Sequence, residues 1–419
     1  MKNISSVVGD GLCTMCGVCA GVCPRGCIRM ARGGDGGLWP AVDGEACNGC
    51  GLCLRVCPGH EVDFEALTPS PPFGNRRHAL LGKHVGCYIG HWEDEILRRR
   101  SSSGGIATGL LLHALESGGI RGAAVARMRG DRPLESEAAW ARTREEVLAS
   151  AGSKYCPVAM GETLREAIQA PGGFGLMGLP CHVHGVRKAE QSIPRLKGRS
   201  LLVGLFCGYG KTYRVLDHAL EACAVRREDV AKVEFRHGGW PGNLRIECRD
   251  GRTAQMPYGT YFRRDCSPTR CTLCCDGCAE LADVSCGDAW LPEYRGRYPG
   301  ISVVVTRTEA GERAVREAMA AGALSLRPVE AEEIVRSQGG MLVRKKRLVG
   351  AHSALRKWRG AAVPRYGAET MRPRGRDYVA AALLNVRLFS ANHRGFGFIN
   401  RLVSRARTWV GAFRRQEKE

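Results

Sequence analysis

The feature that most constrains this chain is a cysteine run that occurs twice within residues 1–68. The first copy has the spacing Cys-x2-Cys-x2-Cys-x3-Cys-Pro and ends at Pro24, and the second copy has the same spacing and ends at Pro58. Three thiolates at every third position surround one face of a cubane cluster, and the fourth, before proline, ligates the other cluster when two are present. The spacing therefore predicts two 4Fe-4S clusters, one on Cys13, Cys16, Cys19 and Cys57, the other on Cys47, Cys50, Cys53 and Cys23.

The alternative for such a segment is a zinc module. Zinc modules normally have two Cys-x-x-Cys pairs or a mixture of Cys and His, without a third regularly spaced cysteine. Residues 1–68 resemble bacterial-type ferredoxins over their whole length, with Cys27 as the spare cysteine. The resemblance implies a domain that carries single electrons.

Twenty-one cysteines in 419 residues are many for a chain that begins without the apolar segment of a signal peptide. No window reaches the ~18 unbroken apolar residues of a membrane-spanning helix. We therefore expect a cytoplasmic protein whose cysteines serve as metal-binding thiolates rather than as disulfides. The length is sufficient for two or three domains with buried cores.

A Pro-rich linker is predicted at 69–76, and strand-like and helix-like segments alternate after it. This alternation indicates an α/β domain with a mainly parallel sheet over 77–345, in two parts at 77–158 and 159–345, in a chain that is α+β overall. Cys181 follows one predicted buried strand and Cys207 ends the next. Ligands bind at the carboxyl ends of the strands in open α/β sheets, so both cysteines are expected near a site.

The stretch from Cys271 to Asp288 contains five cysteines and opens with a Cys-x-x-Cys pair. Such a pair supplies two of the four ligands that an iron-sulfur or zinc site needs. Cys181 and Cys207 would complete a third 4Fe-4S site with Cys271 and Cys274. Two alternatives stay open, because Cys278 would serve in place of Cys181 or Cys207, and buried free cysteines are common without any metal.

Seven motifs then carry a more specific resemblance. They are SSSGG at 101–105, GSKYCPV at 152–158, GLPCHVHGVRKA at 178–189, GLFCGYG at 204–210, FRHGGW at 235–240, CTLCCDGCAELADVSCGD at 271–288 and VTRTEAG at 305–311. Residues 77–340 resemble the beta subunits of coenzyme F420 hydrogenase and its dehydrogenase relatives. The resemblance implies FAD beside a 4Fe-4S cluster, a redox partner protein, and two-electron exchange with a deazaflavin or similar small molecule. The chain has His182 and Gly208 where members often have glutamine and histidine.

A flavin also fits on chemical grounds, because clusters pass one electron at a time whereas hydride acceptors take two. The Ser/Gly loop opens a predicted helix, where backbone N–H groups suit a phosphate but also suit an ordinary helix cap. Candidate flavin contacts are Ser102, Ser103, Gly104, Gly105, Lys154, Asp276 and Asp283. Candidate catalytic residues are His182, His237 and Asp288. For the histidines, the alternative is a structural role. For Asp283 and Asp288, the alternative is turn capping. For Lys154, the alternative is an exposed position on the surface.

Residues 346–419 predict a basic helical tail, since residues 341–419 contain 19 Lys or Arg against 4 Asp or Glu. Apolar residues from Phe398 to Phe413 recur at helical spacing, with arginines opposite. Such a helix binds an anionic membrane surface, a partner groove or its own body. No nucleic-acid ligand is expected, because no reading motif accompanies the charge. The chain is thus predicted to be an iron-sulfur flavoenzyme, or alternatively a non-catalytic electron-relay subunit of a larger, membrane-associated complex.

Overall fold

The structure, a computed structural model, describes residues 3–68, 76–262, 266–367 and 370–392. Most of the predicted linker and the predicted amphipathic helix at 398–413 lie outside the described residues. Over the described part of the chain, no helix is both long enough and apolar enough to cross a membrane.

A small N-terminal domain carries the two cysteine runs. In each run a glycine in the left-handed region, Gly17 (φ 76°) or Gly51 (φ 70°), precedes the short helix that holds the third cysteine. Glycine adopts this conformation without the steric penalty of a Cβ. The elements are α1 (Ser5–Gly9), α2 (Val18–Gly21), β1 (Ile28–Arg32), β2 (Leu38–Val42), α3 (Leu52–Arg55), β3 (Glu61–Asp63) and α4 (Phe64–Leu67).

The larger domain begins at Arg76. Its first half contains β4 (Arg76–His78), β5 (Gly82–His84), β6 (Gly86–Trp92), α5 (Glu95–Arg100), α6 (Ile106–Glu116), β7 (Ala123–Met128), β8 (Ser136–Ala141), α7 (Arg144–Ala149), α8 (Gly161–Gln169), β9 (Phe174–Gly178), α9 (Pro180–Ser192) and β10 (Ser200–Leu205). Its second half contains α10 (Arg214–Ala222), β11 (Val230–His237), β12 (Asn243–Cys248), β13 (Thr253–Pro257), α11 (Tyr258–Phe262), α12 (Thr269–Thr272), β14 (Val284–Asp288), β15 (Ser302–Thr306), α13 (Glu309–Ala320), β16 (Leu324–Pro328), α14 (Ala331–Trp358), β17 (Arg365–Gly367) and α15 (Gly375–Asn392).

One eight-stranded sheet organises this domain, in the order β16-β6-β15-β14-β10-β9-β7-β8. The four strands β14, β10, β9 and β7 are parallel to one another, and the strands outside them pair antiparallel. The predicted α/β class is confirmed, and the sheet is mixed, with parallel pairing at its centre. The carboxyl ends of β9, β10 and β14 therefore lie at one edge of the sheet.

The two domains share a packed interface rather than a loose contact. A Cβ built on Gly17 would lie 2.7 Å from Ala159 Cβ, and one on Gly21 would lie 2.5 Å from the carbonyl oxygen of Gly161. Val18 is fully buried and lies in one apolar core with residues of α8 and α9. Only glycine permits so close an approach of two backbones, and the burial of apolar surface holds the domains together.

The last described elements connect back to the N-terminal domain. Helix α14 runs without a break through position 345, where the sequence predicted the start of a separate tail. Strand β17 then pairs in parallel with β3, so Arg365 lies beside Glu61. Residues 346–367 are therefore part of the folded body.

Candidate functional site

The twelve predicted thiol ligands form three groups of four. The outer thiol group is defined here as Cys23, Cys47, Cys50 and Cys53, the middle group as Cys13, Cys16, Cys19 and Cys57, and the inner group as Cys181, Cys207, Cys271 and Cys274. Four thiols together are the donor set that a 4Fe-4S cluster needs. The groups that the sequence predicted are thus compatible with three clusters, although the ligand assignments stay predictions.

The outer group reaches the protein surface. Cys50 is exposed and Cys47 is half-buried. The spare Cys27 lies in this group as well, because its Sγ is 3.4 Å from Cys23 Sγ. Burial and the neighbouring thiols of Cys23 and Cys47 raise the pKa of Cys27 to about 11. The outer group therefore offers five thiols rather than four.

The middle group is buried. Burial raises the pKa of Cys19 well above its ordinary value, and the nearby thiols of Cys16, Cys57 and Cys13 raise it further. Because each of these three thiols affects the pKa of Cys19, the four side chains lie close to one another. The group lies against the larger domain, where the N–H of Met160 donates to the carbonyl of Cys16 (2.9 Å).

The inner group forms where the parallel strands end. Cys181 is in the first turn of α9, where the helix dipole favours a thiolate. Burial raises the pKa of Cys181 strongly, and the thiols of Cys16, Cys207, Cys271 and Cys274 add to the rise. The presence of Cys16 among these neighbours means that the middle and inner groups adjoin. Cys53 of the outer group likewise raises the pKa of Cys19 in the middle group, so the three groups form a row from the surface to the sheet edge.

Cys278, the alternative ligand, and the neighbouring Cys275 of the same stretch face elsewhere. Cys278 Sγ lies 3.7 Å from the carbonyl oxygen of Leu81, in the apolar core beside β6. Cys275 has Lys346 and Glu280 as charged neighbours. These positions favour Cys181 and Cys207 over Cys278 as partners of the Cys-x-x-Cys pair.

Two buried cations accompany the middle and inner groups. Arg270 donates to the carbonyls of Gly59 (2.7 Å) and Pro58 (3.1 Å) in the N-terminal domain, and its charge lowers the pKa of Cys13 and of Cys271 against the effect of burial. Arg270 therefore lies between the two groups.

Lys345 on α14 is the second buried cation, with Nζ 3.4 Å from the carbonyl oxygen of Cys271 and 4.8 Å from the centroid of the Tyr209 ring. Burial by itself lowers the pKa of Lys345, but the thiols of Cys274, Cys207 and Cys271 raise it above its ordinary value.

A cavity of about 590 Å³ opens beside the inner group, at the carboxyl ends of β9, β10 and β14. Its size is in the range of small-molecule and cofactor sites. Cys207 lies on its wall, so the inner group and the cavity share a residue. The Ser/Gly loop, residues 150–156 and one face of α14 form other parts of the wall.

The Ser/Gly loop lies at this cavity, as the sequence predicted, and its polar groups have partners. Ser102 and Ser103 line the wall, and Gly105 (φ 79°) is the N-cap of α6. The Ser103 hydroxyl donates to the carbonyl of Ile301 (2.7 Å), and the Gly104 N–H donates to the Ser302 hydroxyl (2.9 Å). Gly104 therefore lies behind the wall, and its amide is used within the protein.

Lys154 also lines the cavity, rather than the outer surface that was the alternative. Its ammonium donates to the carbonyls of Ser150, Ala151 (2.9 Å) and Gly152 (2.9 Å) just after α7. Burial lowers the pKa of Lys154 to about 7. A cation with only carbonyl partners in the described part of the chain suits an anion on the cavity side.

The candidate histidines differ in position. His182 is buried on the cavity wall, where Nδ1 accepts from the N–H of Leu179 (3.1 Å) and Nε2 donates to the carbonyl of Val158 (3.0 Å). Burial lowers the pKa of His182 to about 4, so the ring is neutral near pH 7 and both nitrogens are engaged. His237, at the end of β11, pairs with Glu234 (3.3 Å) and is not part of the wall. Protein groups thus hold both rings, and the catalytic role of these histidines stays a prediction.

Asp276 and Asp283 were predicted to contact the flavin, and the structure places both away from the cavity wall. Asp276 is fully buried and accepts from His184 Nε2 (2.8 Å). Asp283 pairs with Arg187 (2.9 Å) and accepts from the Thr308 hydroxyl (2.7 Å). Each carboxylate is paired within the protein, so removing its partner would leave an uncompensated buried charge. The sequence pattern alone did not indicate the direction of these side chains.

Asp288, the third catalytic candidate, reaches the cavity at the end of β14. It pairs with the Arg236 guanidinium (2.8 Å) and accepts from Trp240 Nε1 (2.8 Å). Arg236 has a φ of 62°, an uncommon conformation for a residue with a Cβ, and it also donates to the carbonyl of Ser102 (2.8 Å). The ion pair thus ties β11, β14 and the Ser/Gly loop together, which makes Asp288 a positioning residue.

Several residues of the site were not predicted from the sequence. Arg236, Lys345 and the cavity-facing residues of α14 were not singled out, nor was Trp290, whose ring stacks on Tyr258 with 6.0 Å between centroids. The FRHGGW motif contains Arg236 and was a signal that could have identified it. Lys345 and α14 carried no such signal, because a basic helix resembles an ordinary solvated one.

Comparisons with known proteins match the same segments. The N-terminal part of the family described as "Coenzyme F420 hydrogenase/dehydrogenase, beta subunit" matches residues 87–165, the C-terminal part of that family matches 173–332, and a "4Fe-4S dicluster domain" matches 12–62. The chain is 30% identical over 262 residues to the coenzyme F420 hydrogenase subunit beta of Methanosarcina barkeri, covering 60% of this chain and 84% of that protein.

Two further matches extend the comparison. A coenzyme F420-dependent sulfite reductase of Methanocaldococcus jannaschii is 26% identical over 333 residues, 74% of this chain and 46% of that protein. A chain from the F420-reducing [NiFe] hydrogenase complex of Methanosarcina barkeri superposes with a TM-score of 0.56 at 25% identity, covering 69% of this chain and 98% of that chain. The resemblance drawn from the seven motifs is confirmed, and the family matches end before most of α14.

Proposed function

This chain belongs to the coenzyme F420 hydrogenase/dehydrogenase beta subunit family, and from that premise we propose that it is an iron-sulfur flavoprotein that exchanges an electron pair with a small organic substrate. The comparisons establish an iron-sulfur redox protein. The flavin, FAD, and the electron-pair exchange are the proposal, with coenzyme F420 as the first substrate to test because it appears in the relatives' names.

One observation carries the proposal: Cys207 belongs to the inner thiol group and also lies on the cavity wall. A metal held there would be next to any molecule in the cavity. When bound, the clusters would supply single electrons and the flavin would pair them into a two-electron transfer. The row of thiol groups also supports the proposal. It begins at the exposed Cys50, and the adjoining Cys16 and Cys181 would let electrons pass from the middle group to the inner group.

The protein's own residues prepare the cavity for such a ligand. The Asp288–Arg236 pair fixes the Ser/Gly loop, and Lys154 brings to the wall an amine whose charged form a bound anion would favour. His182 keeps the strand-to-helix turn at Leu179 in place and stays neutral near pH 7. Among the wall residues, cations outnumber the acid, which suits a phosphorylated ligand. The donor set and the charge of the cavity thus fit clusters and FAD.

The test is anaerobic isolation of the full chain, followed by iron and flavin analysis. We expect about twelve iron atoms per chain, four for each of three clusters, and one flavin. After chemical reduction, adding coenzyme F420 should reoxidise the flavin and change the absorbance of the deazaflavin. Isolation with full iron but without any flavin would contradict the proposal.

The variant Cys207→Ser sharpens this test. It keeps the shape of the wall but removes one inner thiol, so about four of the twelve iron atoms should be lost while flavin is retained. Reduction of the flavin through the outer group should then stop. The matched control is Cys223→Ser after α10, a half-buried cysteine outside the three groups, which should keep all the iron.

A second function is favoured by the relatives themselves, several of which are named as subunits. In that case the chain is an electron-relay subunit that acts only with a redox partner protein. The isolated chain would then hold clusters but would not react with free coenzyme F420, and activity would require the partner. The predicted membrane contact of the tail falls on residues outside the described part of the chain.

A further inference from the structure

Helix α14 forms one wall of the cavity through Ser337, Gln338, Gly340, Met341 and Arg344. The helix is fixed in position because the Ser337 hydroxyl (3.3 Å) and the Gln338 amide both donate to the carbonyl of Asp288 at the end of β14. The residue after Arg344 is Lys345, which faces the inner thiol group. The same helix thus contacts both the cavity and the inner group.

Two adjacent glycines lie in the middle of this 28-residue helix. A glycine inside a helix destabilises it by about 1 kcal/mol relative to alanine. The presence of both Gly339 and Gly340 in α14 therefore calls for a structural or functional explanation. A Cβ built on Gly339 would lie 3.8 Å from Val335, and one built on Gly340 would have Arg344 at 4.0 Å as its nearest neighbour. The described protein atoms would therefore accept alanine at both positions.

The difference between the two glycines is the direction they face. Gly340 is on the cavity wall, whereas Gly339 is not. The bare backbone at Gly340 leaves space that a methyl group would fill. Nothing in the described protein uses that space, so a molecule in the cavity is the occupant that would explain the glycine.

Arg344 lies one helical turn after Gly340 and is exposed at the cavity. Within the described part of the chain, it makes no hydrogen bond or ion pair. Four cations line the cavity, Lys154, Lys211, Arg236 and Arg344, against one acid, Asp288, which Arg236 already neutralises. The wall is therefore positive overall, and guanidinium groups bind phosphate by paired hydrogen bonds.

We propose that Gly340 and Arg344 form a subsite for the anionic, phosphate-bearing chain of the organic molecule held in the cavity. The chain passes over the bare backbone of Gly340, and its negative charge meets the Arg344 guanidinium. The inference rests on the proposed function, because it requires an organic ligand in this cavity. The family model ends at residue 332, so the motifs that carry the family resemblance do not include Gly340 or Arg344.

Two sources of such a chain exist, namely the pyrophosphate of a dinucleotide flavin and the anionic tail of the substrate. The variants Gly340→Ala, Gly339→Ala and Arg344→Gln of the full chain separate them. Affinities for FAD, for riboflavin and for coenzyme F420 would be measured by fluorescence quenching. Riboflavin is the control ligand because it has the flavin ring without phosphate.

Both alanine variants should raise the thermal midpoint of the ligand-free protein by about 2 °C, since each removes a helix-interior glycine. Only Gly340→Ala should weaken ligand binding, by about tenfold, because only its methyl group enters the cavity. Arg344→Gln should weaken a phosphate-bearing ligand by about tenfold and leave riboflavin unchanged.

Weaker FAD binding with unchanged coenzyme F420 binding assigns the subsite to the cofactor, and the reverse assigns it to the substrate. The subsite is overturned if Gly340→Ala binds ligands as Gly339→Ala does, or if Arg344→Gln weakens riboflavin as much as FAD. In those cases the proposed function survives as long as the wild-type chain binds flavin. A wild-type chain that binds neither FAD nor coenzyme F420 overturns the proposed function itself.

Discussion

The outer and inner thiol groups have the same ligands and opposite surroundings. The outer group is at the surface, with Cys50 exposed and a fifth thiol, Cys27, beside Cys23. The inner group is half-buried at the sheet edge, has two buried cations near it, and borders the cavity through Cys207. Under the proposed function, the outer end would exchange electrons with a partner protein and the inner end with a molecule bound in the cavity.

Charge explains why the two ends are not interchangeable. A cluster gains negative charge on reduction, and a buried cation stabilises that charge more strongly than water-exposed groups do. Lys345 and Arg270 therefore favour electrons at the inner end. Single substitutions can change the number of thiol ligands, the nearby charge or the burial of a charged group. One such substitution for each property tests the difference between the two ends.

The largest expected effect concerns ligand number. Cys271→Ser should lose the whole inner cluster, about four of twelve iron atoms, because Cys275 and Cys278 face away from the inner group. Cys23→Ser should keep the outer cluster, because Cys27 is 3.4 Å away and can replace the lost thiol. Iron content and electron paramagnetic resonance of both variants measure the difference.

The double variant Cys23→Ser/Cys27→Ser provides the control for that replacement, and it should lose about four iron atoms. If Cys23→Ser alone already loses them, Cys27 is no substitute and the outer group has no spare ligand. If Cys271→Ser keeps all its iron, the assignment of the inner group is wrong.

The second effect concerns charge. Lys345→Met removes a buried cation beside Cys271, so the inner cluster should become harder to reduce, with a midpoint potential lower by on the order of 100 mV. The outer cluster should not change. A redox titration followed by electron paramagnetic resonance measures both potentials in one sample.

The matched control for charge is Lys197→Met, which removes the same charge from an exposed position. Water screens exposed charges, so neither potential should move. An equal shift of both clusters in Lys345→Met would mean that the lysine does not act locally and would remove the electrostatic difference between the two ends.

The smallest effect concerns burial at the cavity. The pKa of Lys154 is about 7 in the folded chain and near its ordinary value of about 10.4 when unfolded. Between these values the unfolded chain binds more protons, so folding stability should rise with pH. Relative to Lys154→Met, the wild-type chain without ligand should gain about 2 kcal/mol from pH 7 to pH 9.

Thermal unfolding at several pH values, compared between the two proteins, measures this gain. Parallel curves for wild type and variant would show that the Lys154 ammonium is not desolvated. An anion bound at the cavity should reduce the gain, because a nearby negative charge raises the pKa of a lysine.

Much of the site could be predicted because its signals are local. Two identical cysteine spacings are enough to indicate cluster ligands, and a cysteine after a buried strand, such as Cys181, indicates the sheet edge. The Ser/Gly loop and Lys154 both line the cavity, and their contact with a flavin stays a prediction. The roles of Asp276, Asp283 and His237 could not be predicted, because a motif does not specify which way a side chain points.

The sequence by itself determined the α/β class and predicted the thiols of the two repeated runs, since spacing and hydrophobic period are properties of neighbouring residues. Only the tertiary structure decided which groups adjoin and what surrounds them. Cys16 meets Cys181, Arg236 meets Asp288, and Lys345 reaches Cys271, across separations of 52 residues or more. Contacts at such separations depend on how the sheet, α14 and the N-terminal domain pack together, and that packing is a property of the whole chain.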